Sequence, residues 1–169
     1  MVQQIVDFLA SLFADTETIF HPDAVILPDF TRSIQLDRFS CGAKSVYCIL
    51  RYYDRQCTPE SVEEQLHSDS DGTSVNDIKR VLKRHGLKCR TLRKPGLQDL
   101  KTAIDDDCTV LITLNDGEHY AVVYGYSLSH IFVSNPSLNI LNGYGSIRCA
   151  IPNAEFRKIW DRWAVIVTK

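Results

Sequence analysis

The sequence predicts an α+β fold, in which a helical N-terminal part packs on a twisted antiparallel β-sheet formed by the C-terminal part. In the first half, apolar residues recur at helical spacing between capping and breaking residues. In the second half, short segments rich in β-branched and aromatic residues are separated by turns. Helices that precede the strands, rather than alternate with them, are typical of an α+β domain.

Length and composition indicate one globular domain. The chain has 169 residues, of which 44% are hydrophobic and 24% charged, and its formal net charge is -2. This balance gives no electrostatic reason to expect a nucleic-acid partner or an anionic membrane. No apolar stretch approaches the roughly 20 residues that span a bilayer, and the N-terminus lacks the basic region of a signal peptide. We therefore expect no membrane insertion and a cytoplasmic location.

Residues 1–34 are interpreted as an N-terminal extension and residues 35–169 as the functional domain. The extension begins with an amphipathic helix, which is a candidate surface for a partner, and continues as an extended stretch broken by Pro22 and Pro28. The helix is predicted from apolar residues at three- and four-residue steps: Ile5, Phe8, Leu9, Leu12 and Phe13.

Four further helices are predicted before the sheet. The first covers residues 41–53. The second is SVEEQL, which follows an N-cap at Thr58 and a proline at the first helical position. The third is NDIKRVLKRHG, capped by Thr73 or Ser74 and ended by Gly86. The fourth is LQDLKTAID.

Five strands are predicted in the second half. Turns at 115–117 and 127–129 separate the first three, which favours antiparallel pairing. The five segments are TVLITL, HYAVVYGYS, HIFVSNP, SIRCAI and WAVIVTK.

One cysteine differs from the others in its surroundings. The chain has six cysteines, no C-x-x-C pair and no secretion signal, which favours free thiols over disulfides or a zinc site. Cys41 lies at the start of a predicted helix, where the helix dipole and unpaired N–H groups favour thiolate. The small residues Gly42 and Ala43 leave room for a substrate carbonyl. A buried structural cysteine is the alternative.

Three polar residues are candidate partners of Cys41. His119 begins a strand next to a turn, and His130 is its only serious rival. Asn135 lies at the end of the neighbouring strand, from where its amide oxygen could orient the imidazole. Gln35 could pair with the Cys41 backbone N–H to bind an oxyanion. Each has an ordinary structural alternative, such as an Asn-Pro turn for Asn135.

Together these residues resemble the double-glycine leader peptidases, papain-like cysteine peptidases that process bacteriocins. The run QLDRFSCGAKSVYCILRYY has the family's glutamine–cysteine spacing and a helix ending in Tyr-Tyr. The resemblance continues through DGTS at 71–74, HYAVV at 119–123 and SNP at 134–136, and closes in 160–167. It implies a standalone, papain-like cysteine peptidase with Cys41 as nucleophile, His119 as base, Asn135 as third member and Gln35 as oxyanion donor.

The resemblance also implies the substrate and the reaction. The substrate would be a peptide or protein cleaved after small residues such as Gly-Gly, through a thioester that needs no metal or organic cofactor. In one departure, Asn135 stands where the family usually has an aspartate. The alternatives are a deamidase or acyltransferase that uses the same thioester, and a non-catalytic peptide-binding module.

Overall fold

A computed structural model describes residues 20–67, 72–137 and 150–169, together with Ile5 and Leu9. The helices in these ranges are α1 (Cys41–Tyr52), α2 (Pro59–Leu66), α3 (Val75–Arg84), α4 (Leu97–Asp105) and α5 (Asn153–Ile159). The strands are β1 (Val25–Ile26), β2 (Lys88–Arg93), β3 (Thr109–Leu114), β4 (His119–Tyr126), β5 (His130–Ser134), β6 (Ala150–Pro152) and β7 (Trp160–Thr168).

The strands form one antiparallel sheet in the order β2-β7-β3-β4-β5-β6. Strand β7, although last in sequence, lies between β2 and β3. The short strand β1 pairs with the far end of β4, where Val25 faces Tyr126, beyond the last residue of β4 that pairs with β3. The fold is therefore α+β with an antiparallel sheet, as predicted from the order of helices and strands.

Both faces of the sheet are covered. On one face, α1, α2 and α3 pack against Leu111, Val122 and Val165. On the other, α4 and α5 pack against a second apolar cluster that includes Val110 and Ile112. Every residue of β3 is buried, because its alternate side chains enter the two clusters.

The helices begin and end at the capping residues from which their boundaries were predicted. The Thr58 side chain accepts the backbone N–H of Ser61, and Ser74 accepts that of Asp77. Gly86, just after α3, has φ +77°, a left-handed conformation that favours glycine. These local interactions are the reason that sequence rules located the helices well.

Three elements were not predicted. Strand β2 has the sequence KCRTLR and lies at the edge of the sheet. It is largely exposed and cationic, so it lacks the apolar pattern by which a strand is recognised in a sequence. Strand β1 and helix α5 are short, with two and seven residues. Of the predicted strand SIRCAI, only residues 150–151 lie within the described ranges, and there they are extended.

The described part of the extension is packed onto the domain. Of its predicted helix only Ile5 and Leu9 are described, and both are helical and exposed. Leu27 and Ile34 are buried, and the Phe30 ring stacks on Tyr124 at a centroid separation of 5.2 Å. Residues 27–34 thus contribute to the same core as the sheet.

No helix in the described ranges has the length and apolar character needed to cross a bilayer. The cytoplasmic location stays a prediction.

Candidate active site

Cys41 is the first residue of α1, and the loop that leads into it is held by one carboxylate. Asp37 Oδ1 accepts the backbone N–H groups of Phe39 and Ser40, at 2.8 and 2.7 Å. Ser40 is the N-cap residue of α1, and its own side chain makes no capping bond. The Asp37 turn therefore fixes the direction in which the chain enters the helix at Cys41.

The Cys41 thiol lies in a site that opposes its ionisation. Burial raises the pKa of the thiol above its ordinary value, and the negative charge of Asp37 acts in the same direction. The backbone N–H groups of Tyr120, Gly42 and Cys41 lower the pKa, but by less. The sequence predicted a thiolate from the helix start alone. The desolvation of the buried sulfur outweighs the helix N–H groups, so the pKa of the thiol is raised rather than lowered.

His119 is the first residue of β4, and it forms a buried pair with Asn135. The distance from His119 Nε2 to Asn135 Oδ1 is 2.6 Å, and Asn135 Oδ1 also accepts the Ser137 N–H at 3.0 Å. Because the amide oxygen can only accept, Nε2 carries the proton, and in the neutral ring Nδ1 holds the lone pair. Burial lowers the pKa of His119, which the bond to Asn135 partly offsets.

The strand register explains why this pair forms. Val122 of β4 faces Ser134 of β5, so Asn135 continues the ladder toward the start of β4, where His119 lies. Tyr120, the next residue after His119, directs its backbone N–H at the Cys41 thiol. Within the described residues no hydrogen bond joins Cys41 to the His119 ring, but the thiol lies beside the residue that follows it.

Gln35 is buried next to the same elements. Its backbone N–H donates to the Pro136 carbonyl at 2.8 Å, which ties it to the residue after Asn135. Its side-chain Nε2 donates to the Asp37 carbonyl at 2.7 Å, which leaves the second amide hydrogen for another acceptor. Gln35 Oε1 is buried and has no hydrogen-bond partner in the described part of the chain.

A cleft of about 310 Å³ opens at Cys41. Gly42 is confined beneath it, since a Cβ there would lie 3.0 Å from Thr73 Cβ and 3.3 Å from Tyr120 Cδ2. A larger cavity of about 560 Å³, lined by Tyr52 and Asp107 among others, contains none of the predicted site residues. The lining of the cleft is Arg38, Phe39, Cys41, Gly72, Thr73, Gly117, Glu118 and Tyr120.

The loop before His119 is held by the neighbouring strand. Asp161 of β7 accepts the backbone N–H groups of Asp116 and Gly117, at 2.8 and 2.9 Å. Sequence reasoning missed Asp161 and Asp37, because each acts through backbone groups that no motif reveals. The Asp37 turn had a local signal, an aspartate two to three residues before the N–H groups it accepts.

The other histidines have different surroundings. The His130 ring contacts the His21 ring at a centroid separation of 4.3 Å with the planes tilted by 55°, and its Nδ1 lies 2.7 Å from Ser129 Oγ. His85 pairs with Gln65 at 3.2 Å. In the described ranges, no three or more His, Cys, Asp or Glu residues form a group suited to a metal ion.

This fold, with a cysteine at a helix start and a histidine on the facing strand, is that of a papain-like cysteine peptidase. Residues 30–169 match the peptidase C39 family. The chain belongs to that family of cysteine peptidases.

Among known proteins, the chain is similar to part of the lactococcin-G-processing and transport ATP-binding protein LagD of Lactococcus lactis subsp. lactis. The two are 27% identical over 131 residues, which is 75% of this chain and 17% of LagD. The chain thus spans about a sixth of the length of that relative.

Two solved structures share the fold. The peptidase domain of Streptococcus ComA, a bifunctional ABC transporter of a quorum-sensing pathway, has a TM-score of 0.66 and 18% identity, over 82% of this chain and 98% of that one. A double-glycine-motif protease from a transporter, in complex with a leader peptide, has a TM-score of 0.62 and 19% identity, over 79% and 87%. The papain-like fold predicted from the resemblance is confirmed.

Proposed function

We propose that this chain hydrolyses peptide bonds with Cys41 as nucleophile and His119 as general base, oriented by Asn135. The observation that carries this proposal is the buried hydrogen bond of 2.6 Å from His119 Nε2 to Asn135 Oδ1. It commits the ring proton to Nε2, so that Nδ1 is the basic nitrogen. Tyr120, next to His119, brings this part of β4 against the Cys41 thiol.

Burial acts against the charged form of both groups. The raised pKa of Cys41 and the lowered pKa of His119 each favour the neutral form, which supports a mechanism in which the proton leaves sulfur as the sulfur attacks. The sulfur attacks the substrate carbonyl carbon as its proton passes to His119 Nδ1. The Gln35 Nε2–H and the Cys41 backbone N–H donate hydrogen bonds to the carbonyl oxygen as it becomes negative.

The second half of the reaction releases both products. His119 returns the proton to the nitrogen of the scissile bond, the C–N bond breaks, and the acyl group stays on sulfur as a thioester. Water, deprotonated by His119, attacks the thioester carbonyl carbon. The C–S bond then breaks, the acyl group leaves as a carboxylic acid, and His119 returns the proton to the Cys41 sulfur. Asn135 holds the imidazole in the same tautomer throughout.

The substrate of this proposal is a peptide or protein with small residues, such as Gly-Gly, before the scissile bond. The small volume of the cleft at Cys41, about 310 Å³, supports this choice, since a small cleft disfavours large side chains near the thiol. The double-glycine protease bound to a leader peptide, with its similar fold, supports the same substrate class.

Two measurements test the proposal. First, each cysteine labelled by iodoacetamide is mapped by mass spectrometry as pH is varied, in the native chain and in His119→Ala. We expect loss of His119 to change the pH dependence of Cys41 labelling and not that of Cys108. An unchanged Cys41 profile would contradict the pairing.

Second, a peptide library is incubated with the native chain and with Cys41→Ser. Cleavage after small residues that disappears in Cys41→Ser supports the peptidase. Release of ammonia from glutamine-containing peptides without cleavage would instead indicate a deamidase, and transfer to an added amine an acyltransferase. Binding without turnover would indicate a peptide-binding module.

A further inference from the structure

Asp37 makes three hydrogen bonds that join two proposed components of the site. Its side-chain Oδ1 accepts the N–H groups of Phe39 and Ser40, the two residues before Cys41. Its backbone carbonyl accepts Gln35 Nε2 at 2.7 Å. One residue therefore contacts the side chain proposed to bind the oxyanion and shapes the loop that presents the nucleophile.

These bonds define the orientation of the Gln35 amide. A carbonyl oxygen can only accept, so the group facing Asp37 must be Nε2, and Oε1 points away from it. One Nε2 hydrogen is used by this bond. Because the amide group is planar, the direction of the other hydrogen is then fixed as well. The position of the Asp37 carbonyl thus sets where the second hydrogen points.

We propose that Asp37 is a positioning residue, whose turn aligns the Gln35 amide and the Cys41 backbone N–H as the two donors to the oxyanion. This inference rests on the proposed function, because it concerns how the same site holds its donors. The side chain acts through the Phe39 and Ser40 amides, and the backbone acts through Gln35.

The charge of Asp37 has a separate effect on the nucleophile. Its negative charge raises the pKa of Cys41, while the N–H groups of Phe39 and Ser40 and the charge of Lys44 lower the pKa of Asp37 itself, against its desolvation. Lys44, on the next turn of α1, is buried and paired with Glu63 at 3.0 Å. The remaining charged or titratable groups that line the cleft with Cys41 are Arg38, Glu118 and Tyr120, and His119 is the residue before Tyr120.

Geometry and charge are separated by two variants. Asp37→Asn keeps an oxygen that can accept the two N–H groups and removes the charge, whereas Asp37→Ala removes both. Asp99 offers a matched control, because it accepts the Gly96 N–H at 2.7 Å at the start of α4, away from the cleft. Asp99→Ala removes a similar turn without touching the site.

The first readout is the steady-state cleavage of a peptide substrate. We expect Asp37→Ala to lower kcat by about 10- to 100-fold, as displaced catalytic groups do, and Asp37→Asn to stay within about threefold of the native chain. In a Gln35→Ala background, Asp37→Ala should lower kcat by a smaller factor than in the native chain, since one of the two donors that it aligns is gone. The proposal would be overturned if Asp37→Ala kept native kcat, or if Asp99→Ala lost as much. It would also be overturned if the kcat losses of Asp37→Ala and Gln35→Ala simply multiplied in the double variant.

The second readout is the pH profile of Cys41 alkylation by iodoacetamide, which needs no peptidase activity. We expect the midpoint in Asp37→Asn to move about half a pH unit toward acid, because a negative charge near the thiol is removed. No shift would overturn the charge effect. If the native chain cleaves no peptide, the proposed function fails, while this profile still decides whether Asp37 acts on Cys41.

Discussion

The hydrogen bond between His119 and Asn135 allows a charge to be added at one defined atom. In the native chain, Asn135 Oδ1 lies 2.6 Å from His119 Nε2 and accepts a hydrogen bond from it. In Asn135→Asp this oxygen becomes part of a carboxylate. The Ser137 N–H, which also bonds this oxygen at 3.0 Å, remains to stabilise the new charge. The change therefore tests the electrostatics of the pair with little change of shape.

The expected change in the His119 pKa follows from two opposing effects on the imidazole. A carboxylate in hydrogen-bond contact raises the pKa of a histidine by roughly 1–3 units. Burial, which lowers the pKa of His119 in the native chain, persists in the variant. We therefore expect a net rise of about 1–2 units, or roughly 1.4–2.7 kcal/mol in favour of the imidazolium.

The assay is the titration of the His119 ring by NMR, with Cys41 alkylation at mildly acidic pH as a second readout. A higher imidazole pKa favours the thiolate–imidazolium pair, so alkylation at pH near 6 should become faster. Asn135→Ala is the matched variant with the opposite sign, because it removes the bond that raises the pKa of His119. A pKa that is unchanged or lower in Asn135→Asp would refute the assigned contact.

Three further outcomes are expected. Asp161→Ala should lower kcat by about tenfold and stability by about 1–2 kcal/mol, measured by urea unfolding, because the loop before His119 loses two N–H acceptors; wild-type kinetics would contradict this role. Gly42→Ala should cost about 1–3 kcal/mol of stability and reduce kcat/KM for Gly-Gly peptides, since the new Cβ would lie 3.0 Å from Thr73 Cβ; an unchanged melting temperature would show that Thr73 and Tyr120 make room for the added Cβ. The folded-state pKa of His119 lies below its unfolded value, so stability should fall as pH drops below about 6.5. In urea titrations, His119→Gln should flatten this pH dependence of stability. If the variant kept the same dependence, other groups would be its cause.

The sequence predicted the elements that have strong local signals. The helix at Thr58-Pro59 and the one ended by Gly86 are fixed by caps that involve only neighbouring residues. Strand β2 was missed for the opposite reason. Its Lys and Arg side chains resemble a solvated loop, and only pairing with β7, whose residues lie 70 to 80 positions further along the chain, makes it a strand.

The candidate site shows the same division between local and distant information. Motif spacing predicted which residues would form the site, and the hairpin-like order of β4 and β5 predicted that Asn135 could reach His119. The ionisation of Cys41 was not predictable from a helix start, because it depends on how deeply the folded chain buries the sulfur. The catalytic roles of these residues stay predictions until the variants are measured.

The place of β7 in the sheet has a consequence for the order in which the domain assembles. Strands β2 and β3 cannot share a continuous sheet until β7 enters between them, so the edge strand β2 is joined to the rest of the sheet by residues made after all the other strands. The same strand carries Asp161, which anchors the loop before His119. Pairings at such long sequence separation fold slowly. On the ribosome, a partly synthesised chain would therefore contain Cys41 and His119, the proposed nucleophile and base, before β7 could order the loop beside His119.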